Sequence, residues 1–245
     1  MDTRSSDRSG RLVSGSREEI VRVAIYYVPD RQDTLWTAGT RWLGRDPESG
    51  EMLERPPVPG LAQATRKASR YGFHATLKAP MPIRKPLAEM INAVKASLST
   101  VAPFSLPPLR LTLEDGFVAL RLGTPCPRLA DLADRCVQDL DGFRVPYTAA
   151  AEEQIRASSE LTAQNLANLE RWGYPYVFSQ WVFHMTLSDR QPDDHIFRMA
   201  RDFFAESATR PRRVSAVGIF VEPEPQQDFI LVARIPLAGG SGTYA

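Results

Sequence analysis

A ten-residue segment occurs twice in the chain, and this repeat constrains the fold more than any other feature of the sequence. Residues 71–80 read YGFHATLKAP and residues 181–190 read WVFHMTLSDR, so the core Phe-His-x-Thr-Leu recurs 110 residues later. Each copy is followed by a predicted helix with apolar residues at a 3.6-residue spacing, and then by a predicted hairpin. Two copies of strand, helix and hairpin indicate a diverged duplication, because a solenoid requires more repeats.

The predicted helices and hairpins of the two copies correspond in order and in pattern. Asp193 and Asp194 precede the second helix and are typical capping residues. A turn at Glu114–Gly116 joins the strands of the first hairpin, and the segment Glu222–Asp228 joins those of the second. The matching apolar positions are Leu87, Met90, Ile91, Val94 and Leu98 in the first helix and Ile196, Met199, Ala200 and Phe203 in the second.

The segments outside the repeat complete the predicted order of elements. VRVAIYYV, which starts at Val21, is typical of a buried strand. Residues 37–60 are rich in Pro, Gly and Arg and predict a long loop. Between the two copies, Arg128–Leu140 and Ala150–Arg171 predict an inserted layer of helices.

Together these elements predict an α+β fold with two pseudo-symmetric lobes, each a mostly antiparallel sheet that carries a helix. One domain would cover residues 21–245. Within it, the lobe with His74 covers about residues 21–123, the helical insertion about residues 124–172, and the lobe with His184 about residues 173–236.

Composition narrows the class of protein. The chain has 245 residues, 30 Lys and Arg against 29 Asp and Glu, and a net charge of +1, which argues against binding long nucleic acids. Residues 1–20 lack the apolar core of a signal peptide and predict a disordered tail, and no apolar run is long enough to span a membrane. Cys126 and Cys136 are too few for a disulfide framework, so we expect a reducing, cytoplasmic location. The oligomeric state stays open.

Each repeated motif predicts one polar and one apolar face. Residues i and i+2 of a strand point to the same side, so His74 shares a face with Thr76, and His184 with Thr186. We expect the apolar faces to pack under the helices and the polar faces to meet between two facing lobes. The residues predicted on the apolar faces are Phe73, Ala75 and Leu77 in the first copy and Phe183, Met185 and Leu187 in the second.

Two histidines and two threonines in one groove match the needs of phosphodiester cleavage without a metal. One neutral histidine removes a proton from the attacking water or sugar hydroxyl, and the other, protonated, gives a proton to the leaving oxygen. The threonine hydroxyls donate hydrogen bonds to the non-bridging oxygens. The duplication leaves open which histidine is the base. The sequence has no HExxH, CxxC, GxSxG, GxxxxGK[ST] or GxGxxG motif, so we predict no metal or other cofactor and no nucleophilic triad.

The paired HATL and HMTL motifs resemble those of the 2H phosphoesterase superfamily, which includes RNA 2′,3′-cyclic phosphodiesterases and 2′–5′ RNA ligases. The stretches RWLGRDPESGE, RYGFHATLKAP and WVFHMTL resemble the branch of phosphonate metabolism proteins encoded in carbon–phosphorus lyase operons. The resemblance covers about residues 21–235. It implies two lobes around a central groove and metal-independent action on cyclic phosphates or phosphodiesters. It also implies that His74 and His184 form the acid–base pair and that Thr76 and Thr186 bind phosphate.

Residues that flank the motifs are candidates for binding substrate. We expect Tyr71, Lys78, Arg190 and Trp181 to reach it, with Lys78 on the face of His74 if the strand continues that far.

A few other residues are weaker candidates. Arg41 and Arg45 either close over an anionic ligand or lie in solvent. Tyr26 and Tyr27 point to opposite sides of the first strand, so one of them lines the groove. His195 is expected at the surface, in the first turn of its helix.

Three functions stay open at this level. The first is a phosphodiesterase for a small cyclic phosphate or phosphodiester, in phosphonate metabolism. The second is an RNA-end-processing 2′,3′-cyclic phosphodiesterase or 2′–5′ ligase, which needs a basic groove and an aromatic stacking surface. The third is a non-catalytic module that binds a phosphate ligand, for which a poised acid–base pair is unnecessary.

Overall fold

The computed structural model describes residues 22–114, 116–157, 160–190 and 192–239. The predicted tail, residues 1–20, and Asp115 of the predicted turn lie outside this part of the chain. The strands are β1 (Arg22–Tyr27), β2 (Ala75–Met81), β3 (Phe104–Leu106), β4 (Leu109–Glu114), β5 (Phe117–Leu122), β6 (Met185–Thr186), β7 (Arg212–Val214), β8 (Ala216–Glu222) and β9 (Ile230–Pro236). The helices are α1 (Thr34–Leu43), α2 (Leu61–Ala64), α3 (Arg66–Tyr71), α4 (Leu87–Leu98), α5 (Pro127–Asp139), α6 (Ala149–Ala157), α7 (Ala163–Trp172) and α8 (Asp194–Thr209).

The fold is α+β, as predicted, and its centre is one continuous antiparallel sheet. Within the described residues, seven strands lie in the order β4-β5-β6-β2-β1-β8-β9. β3 and β7 form a separate antiparallel ribbon. Each of these two short strands immediately precedes a hairpin, so the ribbon pairs equivalent segments of the two copies. The predicted hairpins are confirmed as β4–β5 and β8–β9.

The two copies exchange their hairpins. The β4–β5 hairpin follows the first motif in the chain but pairs with β6, the strand of the second motif. The β8–β9 hairpin follows the second motif but pairs with β1, which in turn pairs with β2 of the first motif. Helices α8 and α4 pack on the exchanged hairpins, α8 on β4–β5 and α4 on β9. Each lobe therefore combines segments of both copies and is not a consecutive stretch of the chain, in contrast to the ranges 21–123 and 173–236.

The helices after the motifs bury one face each, as their spacing predicts. The predicted apolar face of α4 lies against the core. In α8 the buried stripe consists of Ile196, Ala200 and Phe204, whereas Met199 is 40% exposed, so the assignment of Met199 to this face was wrong. Asp193 occupies the N-cap position of α8, but its side chain makes no capping hydrogen bond. The buried residues of α8 are spaced at i, i+4 and i+8, so Phe204 lies in the buried stripe instead of its neighbour Phe203.

The prediction of a loop over residues 37–60 is wrong in its first part, because α1 extends to Leu43. The carboxylate of Asp33 accepts a hydrogen bond from the Leu35 N–H at the start of this helix. Gly44 ends the helix in the left-handed conformation, with φ of 74°. The Pro- and Gly-rich composition that follows Gly44 obscured a short amphipathic helix before it.

The inserted layer contains two helices where the sequence predicted one long stretch from Ala150 to Arg171. α7 begins after Thr162, whose hydroxyl accepts a hydrogen bond from the Asn165 N–H, and Oδ1 of Asn165 in turn accepts the backbone N–H of Thr162. This capping box starts a new helix inside the predicted stretch. The other stretch, Arg128–Leu140, agrees with α5.

Two further findings concern the described helices and the thiols. None of the helices in the described ranges is both long and apolar enough to cross a membrane. Cys136 is buried in α5 and Cys126 is half-buried just before it, and both are free thiols. Cys136 fills the role of a small apolar core residue.

Candidate active site

The two repeated motifs line a single groove of about 1020 Å³. His74 and Thr76 come from the first motif, His184 and Thr186 from the second, and all four side chains line this groove. The opposite sides of both motifs are buried in the core, as predicted. The buried residues are Phe73, Ala75 and Leu77 in the first copy and Phe183, Met185 and Leu187 in the second.

The register between β2 and β6 explains how the four polar side chains come together. Ala75 pairs with Met185 in antiparallel register, and these residues are the centres of the two His-x-Thr motifs. Continuing the register by one residue on either side places each histidine beside the threonine of the other motif, on the groove face. The motifs therefore lie side by side on one sheet. This differs from the predicted arrangement, in which two lobes face each other across the groove.

Both histidine rings are oriented by the same backbone interaction. The Nδ1–H of His74 donates to the carbonyl of Gly72 at 2.9 Å, and the Nδ1–H of His184 donates to the carbonyl of Val182 at 2.9 Å. Since a carbonyl only accepts, each Nδ1 carries the proton, and the lone pair of the neutral ring lies on Nε2. The fold thereby presets the same tautomer in both copies.

The surroundings of His74 are aromatic. The ring of Tyr26 stacks on it with 3.7 Å between centroids, and Phe220 and Tyr71 lie 6.3 and 6.4 Å away. Burial lowers the pKa of His74 from 6.5 to about 4, while its bond to Gly72 opposes the shift and the charge of the other histidine adds to it. His74 is therefore neutral at pH 7.

The surroundings of His184 differ because the two halves of the sheet differ. Phe117 meets its ring edge-on, with 5.8 Å between centroids. In the half of the sheet that contains His74, β1 lies between β2 and β8, and its Tyr26 stacks on His74. Within the described residues β6 pairs directly with β5, with no strand corresponding to β1. One extra strand thus breaks the equivalence of the two histidines. It also decides that Tyr26, and not Tyr27, lines the groove.

Lys78 does not lie in the groove, contrary to the prediction from alternation. Tyr26 pairs with Thr76 but Ile25 pairs with Lys78, so β2 has an extra residue at this point. Such a bulge reverses the alternation of the following side chains. Lys78 is therefore buried, 5% exposed, and its Nζ donates to the carbonyl of Val137 at 3.1 Å. Burial lowers the pKa of this amine to about 8.

The other three flanking residues have different positions. Tyr71 and Arg190 line the groove. Tyr71 also stacks on Phe229 at 5.0 Å, which holds its ring against the groove wall. Trp181 is not part of the groove lining, and its Nε1–H donates to the carbonyl of Thr76 at 2.8 Å. Trp181 therefore positions the first motif from the second.

Arg41 and Arg45 do not close over the groove. Arg45 is 4% exposed and donates to the carbonyls of Ser69, Arg70 and Phe229, so its role is to join three segments of backbone. Arg41 is exposed and contacts the carbonyl of Glu54 at 3.5 Å. Neither prediction for Arg45 anticipated burial, because a guanidinium is rarely buried unless several acceptors meet it.

Several groove residues were missed by the sequence analysis. The carboxylate of Asp189 accepts the N–H groups of Lys67 and Ala68, and so fixes the start of α3 to the second motif. His195, which was expected at the surface, is half-buried in the groove lining, and its Nε2–H donates to the carbonyl of Pro59 at 2.7 Å. The YPY segment at residues 174–176 was an available aromatic signal. The other missed lining residues include Arg22, Arg66, Lys67, Tyr147, Tyr174 and Tyr176.

The described part of the chain contains no group of three or more His, Cys, Asp or Glu side chains placed to hold a metal ion.

Comparison with known proteins identifies the family. The family described as "Protein of unknown function (DUF1045)" matches residues 76–230, which include the whole second motif and the first motif from Thr76 onward. The chain belongs to this family. Two relatives are named "Ribose 1,5-bisphosphate phosphokinase PhnN". The one from Janthinobacterium sp. (strain Marseille) is 35% identical over 93% of this chain and 53% of the relative. The one from Laribacter hongkongensis (strain HLHK9) is 34% identical over 91% of this chain and 53% of the relative. The chain thus spans about half the length of these relatives.

Among solved structures, the chain is similar to E. coli LigT complexed with 3′-AMP. The TM-score is 0.39 at 14% identity, over 89% of this chain and 99% of LigT. A structure described as a phosphoesterase is similar at a TM-score of 0.41 and 14% identity, over 89% of this chain and 99% of that one.

Proposed function

We propose that this DUF1045 protein is a phosphodiesterase that acts on a small cyclic phosphate or phosphodiester. The observation that carries the proposal is the placement of two His-x-Thr pairs beside each other on one face of the sheet, with both rings held in the same tautomer. Two proton-transfer groups and two hydroxyl donors around one small space suit a phosphorus centre, where one oxygen arrives and another leaves.

We assign the base to His74 and the acid to His184. Neutral His74 accepts, at Nε2, the proton of the attacking water or sugar hydroxyl as its oxygen bonds to phosphorus. Protonated His184 gives the proton on its Nε2 to the oxygen whose bond to phosphorus breaks. Thr76 and Thr186 donate to the non-bridging oxygens, where negative charge develops. The stacked Tyr26 supports this assignment because burial of the imidazole against an aromatic ring favours its neutral form.

The relatives support a ribosyl phosphate as the substrate. Their name refers to a ribose bisphosphate, and the sequence resemblance is to a branch associated with phosphonate metabolism. The phosphokinase activity in that name is not transferred to this chain, whose sequence has no GxxxxGK[ST] phosphate-binding motif. A cyclic ribosyl phosphate formed after cleavage of a carbon–phosphorus bond meets both requirements.

The composition of the groove favours RNA-end processing as the second candidate. Stacking of bases requires aromatic side chains, and the backbone of RNA requires cations. Arg66 and Lys67 are exposed at the groove, beside Arg190. The tyrosines that line it are Tyr26, Tyr71, Tyr147, Tyr174 and Tyr176.

A substrate screen in the presence of EDTA tests the proposed function. We expect turnover of one or more small cyclic phosphates or phosphodiesters at a rate that EDTA does not change, and identification of the product's phosphate position gives the direction of cleavage. Activity that is lost with EDTA and restored by a divalent ion would contradict the metal-free mechanism. Turnover of an oligonucleotide 2′,3′-cyclic phosphate alone would favour RNA-end processing. Saturable binding of a phosphate ligand without product would favour a binding module.

The pH profile of kcat/KM tests the assignment of roles. The base must be unprotonated, so activity should fall on the acidic side near pH 4, the pKa of His74, and not near 6.5. Replacing Tyr26 with alanine admits water to the ring and raises that pKa. We therefore expect Tyr26→Ala to move the acidic limb upward by about 1–2 pH units.

Phe117→Ala is the matched control for that shift. It removes an aromatic neighbour of His184 and should leave the acidic limb where it is. If Phe117→Ala moves the acidic limb and Tyr26→Ala does not, the roles of the two histidines are reversed.

A further inference from the structure

One end of the groove wall carries a cluster of two arginines and one glutamate. The Nε of Arg22 donates to Oε2 of Glu222 at 2.5 Å, and Arg70 forms an ion pair with the other carboxylate oxygen, Oε1. Glu222 is completely buried, and its Oε1 also accepts the N–H of Gln226. A buried carboxylate with this many donors is rigidly held, and it holds its partners in turn.

The cluster has a net charge of +1, because two guanidinium groups share one carboxylate. Arg22 is the member that meets the groove. Its side chain is 31% exposed and is part of the groove lining. Arg212 provides a contrast, since this arginine is 3% exposed in its pair with Asp33 and is enclosed by protein. An arginine whose only role is to stabilise the fold can be enclosed in this way, whereas Arg22 lines the groove.

The strand places Arg22 on the same wall as the proposed base. β1 pairs with β8 in unbroken register from Arg22 to Tyr26, so these two residues share a face. Four residues of strand separate their Cα atoms by about 13 Å. Tyr26 stacks on His74, so Arg22 lies on the groove wall beyond the catalytic pair.

Tyrosine side chains line the same groove as the guanidinium. Tyr147 is one of them, and burial raises its pKa while the charge of Arg22 opposes the rise. Tyr174 lines the groove as well. A fixed guanidinium in a groove that is also lined by tyrosine hydroxyls is a set of groups that binds a phosphate monoester.

We propose that Arg22, held in place by Glu222, forms a second anion subsite that binds a phosphate monoester group. The substrate that this subsite implies is a cyclic phosphate or phosphodiester that carries a second phosphate one sugar ring away from the reacting phosphorus. This identification of the substrate rests on the proposed function. The subsite itself does not depend on turnover.

Binding of a matched pair of ligands tests the subsite without catalysis. Ribose 1,5-bisphosphate and ribose 5-phosphate differ by one phosphate, and each is a monoester that a diesterase does not cleave. Titration calorimetry with the complete chain should show that wild type binds the bisphosphate at least about tenfold more tightly. Arg22→Ala should reduce this ratio to near one. Arg31→Ala is the matched control, because Arg31 is 63% exposed in a surface pair with Glu48 and should keep the wild-type ratio.

Arg22→Gln guards against misfolding, because its amide keeps a donor for Glu222 while the charge is removed. It should match wild type in thermal unfolding and still lose the preference for the bisphosphate. A wild-type ratio near one, or a ratio that survives in the folded Arg22→Gln protein, overturns the proposal. If the wild-type protein has no diesterase activity but prefers the bisphosphate, and Arg22→Gln loses that preference, the subsite is supported and only the proposed function is contradicted.

Discussion

Alanine at His74 or at His184 is expected to lower kcat/KM by about 10²-fold or more, because each histidine transfers a proton that the transition state cannot do without. His74→Ala removes the base and should also abolish the acidic limb of the pH profile. His184→Ala removes the acid and should abolish the alkaline limb. Initial rates on the substrate found in the screen, measured from about pH 2.5 to pH 10 so that both sides of the acidic limb near pH 4 are covered, provide both readouts.

His195→Ala is the control for these two variants. His195 lines the same groove, but its Nε2 is bonded to the carbonyl of Pro59 and it lies outside the paired motifs. We expect a change in rate of less than about tenfold, since the residue supplies no proton in the proposed step. If His195→Ala loses as much activity as the motif variants, or if a motif variant keeps full activity, the acid–base assignment is wrong.

Trp42→Ala is expected to cost about 3–5 kcal/mol of the free energy of unfolding. The Trp42 side chain is completely buried and contacts Phe203 and Phe204, with 5.5 Å between ring centroids in each case. Its Nε1–H donates to the carbonyl of Leu187 at 2.7 Å, directly after the second His-x-Thr motif. The substitution removes a large part of the core and leaves that carbonyl without its donor. Urea unfolding should show a lower midpoint with an unchanged m-value.

Trp42→Phe separates packing from hydrogen bonding. It keeps an aromatic ring in the core but removes the Nε1–H, so we expect a loss of about 1–3 kcal/mol from the unsatisfied Leu187 carbonyl and the smaller ring. Equal losses for the two variants would show that the hydrogen bond, and not the ring volume, dominates at this position. No loss for Trp42→Ala would contradict the burial of this residue.

Much of the fold and of the candidate site follows from short-range rules. Period-2 alternation correctly separates His74 and Thr76 from Phe73, Ala75 and Leu77, because the side chains of any extended strand alternate. The period of 3.6 correctly predicts α4 and most of the buried face of α8. Repetition of one motif was sufficient to expect both copies in one groove.

The failures occur where a distant segment changes a local rule. Alternation fails at Lys78 because pairing with β1 introduces a bulge, and the predicted apolar face of α8 fails at Met199, which lies beside the buried stripe of Ile196, Ala200 and Phe204. The pairing of Arg22 with Glu222 joins residues 200 positions apart, which no local pattern reveals.

The sequence by itself determined that His74, Thr76, His184 and Thr186 form two equivalent polar pairs, because that conclusion needs only the repeat and the geometry of a strand. The tertiary structure decided that the pairs lie side by side on one sheet, through the exchange of hairpins between the copies. It also decided that the two histidines differ, because within the described residues one half of the sheet contains β1, whose Tyr26 stacks on the imidazole of His74. A duplicated sequence carries no signal for that asymmetry, since burial and pKa depend on what other segments of the chain place around each ring.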